Sequence, residues 1–97
     1  MLTIDEIKAA VTKIGKKYGI KNAYLFGSYA RGEANEDSDV DVIIDDNGNI
    51  KGLIALSGFR LDLADELGKD VDVLTMDAVS PRFFNLVKDD RVLVYGY

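Results

Sequence analysis

The sequence predicts an α/β chain with a mixed sheet, in the order α-β-α-β-α-β-α with helices packed on the sheet. Three observations carry this. Apolar runs of strand length recur at Asn22 to Phe26, Val40 to Ile44 and Val71 to Leu74. Longer segments separate them, with apolar residues at helical spacing. Between the second and third runs, residues 45–70 leave room for a crossover that returns the chain parallel to itself.

The elements follow in order. Thr3-x-x-Glu6 has the spacing of a capping box, in which each side chain satisfies the other's backbone N–H. Ile4, Ile7, Val11, Ile14 and Tyr18 then form one stripe, and Gly19 suits a left-handed cap, so the first helix spans Thr3 to Tyr18. Asn22 to Phe26 is a short strand that ends at a Gly27-Ser28 turn. Tyr29 to Glu33 supports at most a brief helix, and Gly32 to Ser38 is a polar loop. Val40 to Ile44 is the second strand, followed by turn chemistry in Asp45 to Asn49, "DDNGN". Gly52 to Leu67 suits a helix, weakened in its middle by Gly58 and closed by Gly68. Val71 to Leu74 is the third strand. Ser80-Pro81 then places an N-cap before proline at the first helical position, and Phe83, Phe84, Leu86 and Val87 ride on the helix that follows. The tail "RVLVYGY" suits a further strand or a docking segment.

Ninety-seven residues make one domain, 1–97, with no repeat or linker inside it. The chain has no cysteine and no histidine, which excludes disulfides, thiolate or imidazole metal sites and histidine-based nucleophilic catalysis. Catalysis is left to carboxylates, hydroxyls, lysine and arginine. Asp5, Glu6 and the lysines that follow interrupt the apolar residues of the N-terminal stretch, so it does not read as a signal peptide. No apolar run approaches the ~20 residues of a membrane span, and a cytoplasmic protein is expected. A net charge of −5 argues against direct nucleic-acid binding, which calls for a basic face.

Why, then, does a core strand begin with two acids? Side chains alternate along a strand, so Asp39 and Asp41 share a face while Val40, Val42 and Ile44 take the other. Their Cα atoms lie ~6.6 Å apart, from two steps of ~3.3 Å. Asp72, between Val71 and Val73, repeats the device on the third strand. With strands two and three parallel, three acids meet on one rim of the sheet. The Gly27-Ser28 turn reaches that rim only if strand one runs antiparallel to strand two. Each element alone has an ordinary explanation: a turn, a solvated strand face, a surface acid on an edge strand. In a partly buried site of effective dielectric ~20, however, like charges ~6 Å apart repel by about 3 kcal/mol, which calls for a counter-ion. Arg31 serves either as a structural partner for one acid or as a triphosphate contact. Asp37, Asp45 and Asp46 read as loop and turn residues, and Phe83-Phe84 as core or interface.

The combination is what carries chemistry. Gly27-Ser28, ten residues from Tyr29 to Ser38, then Asp39-Val40-Asp41 resembles the nucleotidyltransferase superfamily that includes polymerase β. More narrowly, "GSYARGEANEDSDVDVIID" is similar to the minimal nucleotidyltransferases, or MNT domains. The resemblance implies a polymerase β-like fold, ATP as substrate and magnesium chemistry with two ions. It implies catalytic and metal-binding roles for Asp39 and Asp41 on both ions and for Asp72 on the catalytic one. Gly27 and Ser28 would hold the β- and γ-phosphates. It also implies an antitoxin that moves AMP from ATP onto a tyrosine of a HEPN-domain ribonuclease toxin, in a homo- or hetero-oligomer. Two other readings stand beside it: an antitoxin that neutralises its partner by binding alone, and a small-molecule nucleotidyltransferase. Lys51 to Lys69 carries no motif that identifies the acceptor.

Overall fold

The computed structural model of the chain describes residues 1–96. Helix α1 spans Ile4–Tyr18, strand β1 Asn22–Phe26, helix α2 Gly27–Arg31, strand β2 Val40–Asp45, and helix α3 Gly52–Leu67. Strand β3 (Val71–Thr75), helix α4 (Pro81–Val87) and strand β4 (Val92–Tyr95) complete the order, with one 3-10 turn at Met76–Ala78. The sheet is mixed, as expected, in the order β3-β2-β1-β4. Strands β2 and β3 are parallel, whereas β1 runs antiparallel to both β2 and β4. The tail is therefore a strand along β1 as far as Tyr95; Tyr97 lies outside the described residues.

Local chemistry explains the boundaries. The capping box at Thr3 and Glu6 is formed in both directions, and Gly19 ends α1 in the left-handed region. Ser80 caps α4 by accepting the N–H of Phe83, with Pro81 behind it. Gly58, expected to weaken α3, is where α1 comes close: a Cβ there would stand 3.2 Å from the Tyr18 hydroxyl. The Tyr18 ring meets Phe59 edge-on at 5.3 Å.

The two faces of the sheet differ. Ala23, Leu25, Val40, Val42, Ile44, Val71 and Val73 are buried and join Ile7, Val11, Ile14, Phe59 and Leu63 of α1 and α3 in one core. The alternate residues face the other way and are covered only in part by α4, whose Phe84 meets Phe26 edge-on at 6.3 Å. Arg91 lies over the Tyr24 and Phe84 rings and pins this corner. Among the described residues, no helix is long and apolar enough to cross a membrane.

Candidate active site

The alternation that sends valines into the core sends acids to the open face. Strand pairing sets Phe26 against Asp41, and Asp41 against Asp72, side by side across three strands. Gly27 follows Phe26 directly and opens α2 at φ +72°. A Cβ at this position would collide with the Asp41 carboxylate. Glycine is thus required twice, for its backbone angle and for the room beside the acid.

These groups line a cavity of about 330 Å³ between the open sheet face and α4. Gly27, Arg31, Asp41 and Asp72 form its polar half; Phe26, Ile43, Leu74, Phe83 and Val87 form its apolar half. Asp39 lies just ahead of β2, exposed, and does not line this cavity. It borders a larger, shallower groove with Glu36, Asp37, Lys69 and Asp70. Ser28 lines neither. The smaller cavity is the one in which the acids face each other.

The electrostatics follow from this crowding. The Asp41 carboxyl is raised above its ordinary 3.8, first by burial, then by the charge of Asp72 and a hydrogen bond shared with it, and then by Asp39. Arg31 pulls in the opposite direction. Its Nε, however, is committed to Glu33 at 3.1 Å, so its ion-pair partner is none of the three acids.

A divalent cation is the natural complement of such a set. The donors are hard carboxylate oxygens, and a carboxyl raised by burial and by a second acid beside it is stabilised in its charged form by a bound cation. Among the described residues, no three acidic side chains converge closely enough to cage an ion by themselves. That suits magnesium, which takes one or two protein carboxylates and completes its shell with phosphate oxygens and water. The residues fit the ion, and Asp41 and Asp72 are best placed to hold it.

A model of the nucleotidyltransferase domain matches residues 4–94, nearly the whole chain. The chain belongs to that family. This nucleotidyltransferase is 42% identical, over 92 residues, to a Methanocaldococcus jannaschii protein provisionally named a protein adenylyltransferase; the match covers 95% of this chain and 92% of that one. It shares its fold with a toxin–antitoxin crystal structure containing AMP-PNP, at TM-score 0.79 and 24% identity, covering 93% of this chain and 73% of that one. It also shares it with a tri-AMPylated Shewanella oneidensis HEPN toxin in complex with its MNT antitoxin, at TM-score 0.70 and 21% identity, covering 94% and 71%. The fold is that of the minimal nucleotidyltransferases.

Sequence reasoning left part of the nucleotidyltransferase site unread. Leu74, Phe83 and Val87 line the cavity together with the glycine turn and the acids. One signal was available: Leu74 follows Asp72 by two residues on a strand and so shares its face. Nothing local separates Phe83 from Phe84. In the fold the two part, with Phe84 against Phe26 and Phe83 in the cavity.

Proposed function

We propose that this nucleotidyltransferase is a magnesium-dependent protein adenylyltransferase that moves AMP from ATP onto a tyrosine of a HEPN-type toxin and so acts as its antitoxin. The observation that carries the reading is the packing of Gly27 against Asp41, with Asp72 in register beside it. A side-chain-free turn for phosphates and a pair of acids then share one cavity. The identity to the M. jannaschii protein over nearly the full length of both chains supports transfer to a protein.

The roles divide along the sheet. Gly27 and Ser28 would receive the β- and γ-phosphates at the end of β1. Asp41 and Asp72 would hold magnesium, with Asp39 reaching it from the outer margin of β2; the ion when bound neutralises triphosphate charge and makes the acceptor hydroxyl more acidic. Asp72 takes the proton from that hydroxyl. The phenolic oxygen forms its bond to the α-phosphorus as the bond to the α–β bridging oxygen breaks, and the electron pair leaves on pyrophosphate. Tyrosine, with a hydroxyl pKa near 10, needs less activation than serine or threonine.

The test is transfer of labelled AMP from α-labelled ATP, with magnesium, to a HEPN-type toxin. Label on that protein's tyrosine, absent with Asp41→Asn, is the expected result. Full suppression of the toxin by Asp41→Asn, without any label from the unaltered protein, would establish neutralisation by binding alone.

A further inference from the structure

The apolar half of the cavity has no task in the reaction as written so far, and its position suggests one. In-line displacement puts the entering oxygen opposite the departing pyrophosphate. Strand order gives this a direction in the fold. The phosphate turn ends β1, Asp41 stands on β2 in the middle, and Asp72 stands on β3 beyond it. If pyrophosphate departs over β1, the acceptor enters over β3.

Leu74 lies on β3, and Phe83 and Val87 of α4 line the same cavity. Leu74 is 47% exposed and Phe83 45%, large side chains left half in water at the mouth of a charged site. Leu74 is two steps along β3 from Asp72, ~6.6 Å by strand rise. That distance is comparable to the span of a tyrosyl side chain. A phenolic oxygen at Asp72 therefore lays its ring along β3 against Leu74, with Phe83 available for an edge or offset contact. A serine or threonine reaching Asp72 would leave the slot unfilled.

We infer that Leu74, Phe83 and Val87 form a slot for the acceptor's aromatic ring, making them positioning residues that select tyrosine over aliphatic hydroxyls. This rests on the adenylyltransferase reading above and adds to it where the ring sits. Phe83 has no part in the buried core, and the ring contact with Phe26 on the other sheet face belongs to Phe84, so it can be altered with the fold intact.

The experiment compares unaltered protein, Phe83→Ala and Leu74→Ser, each checked for its thermal midpoint, with the same HEPN-type toxin as acceptor. The expected result is a KM for acceptor raised about tenfold in each, the scale of one lost apolar contact, with AMP-PNP affinity unchanged by calorimetry. Replacing the acceptor tyrosine with serine should abolish labelling by the unaltered protein, and the slot variants should narrow that preference. Weaker AMP-PNP binding with unchanged acceptor KM would overturn the inference and assign the wall to the nucleobase. Unchanged values for both would overturn it outright. Absence of any transfer by the unaltered protein would instead refute the adenylyltransferase reading itself.

Discussion

Asp62 and Asp41 are both partly buried carboxylates, and the chain treats them oppositely. At the seam between α1 and α3, Asp62 accepts Lys17 Nζ at 2.8 Å and the Tyr18 hydroxyl at 2.7 Å. Its pKa is lowered by those two hydrogen bonds. One turn along, Glu66 receives Lys13 at 3.1 Å. On the open face of the sheet, the Asp41 pKa is raised, first by burial and then by the charges of Asp72 and Asp39. Acids that serve the fold are given cations by the fold; the acids of the cavity are left for something else to neutralise. The contrast locates function without reference to any motif.

Asp41→Asn should sharpen the contrast most. We expect AMP transfer to fall by about 100-fold or more, as when one preorganised charge contact is removed from a transition state. The thermal midpoint at neutral pH should hold or rise. The sign follows from linkage: a carboxyl whose folded pKa is raised destabilises the folded state once ionised, and an amide removes that cost. A lower midpoint with transfer intact would break the comparison.

Gly27→Ala comes next. The added Cβ meets the Asp41 carboxylate and the backbone stands at φ +72°, so a loss of about 1–3 kcal/mol in denaturant unfolding is expected, together with weaker ATP binding. Unchanged ATP binding would separate the turn from the phosphate.

The paired side of the comparison is tested by pH. The lowered pKa of Asp62 contributes stability that is present above its ordinary 3.8 and is lost as pH falls through the folded value. Between neutral pH and about pH 3, the midpoint of the unaltered protein should fall further than that of Asp62→Asn. Because this seam is solvent-facing, added salt should shrink the difference. The smallest effect is expected at Tyr29 in the α2 turn. Its hydroxyl is buried with no hydrogen-bond partner among the described residues, so Tyr29→Phe should leave stability unchanged or raise it by up to about 1 kcal/mol.

Much of this was legible in the sequence, for physical reasons that can be named. Strand positions could be read because β2 and β3 open by alternating valine with aspartate and β1 is a short run rich in apolar residues that stops at a glycine, and caps because Thr3, Ser80, Gly19 and Gly68 do local chemistry. The mixed sheet followed from requiring the glycine turn to reach the acids. What depended on distant partners was not readable. The short helix opens at Gly27, two residues ahead of the expected Tyr29, because Phe26 serves as its extended N-cap. The tail pairs with β1, which no local signal distinguishes from docking elsewhere. The expectation of three acids on one rim carried no information about depth: Asp39 stands exposed at the outer margin while Asp41 lies inside. Arg31 pairs with Glu33, a near neighbour in sequence, rather than with Asp39, Asp41 or Asp72.

The fit of Gly27 against Asp41 also bears on carboxylate length. On the glycine side Asp41 faces main chain fixed by the Phe26–Asp41 pairing, and a side chain at residue 27 would take the room its carboxylate fills. The freedom left to that carboxylate lies on the cavity side, beside Asp72. A longer acid at this position would therefore carry its charge outward into the cavity, away from the glycine turn.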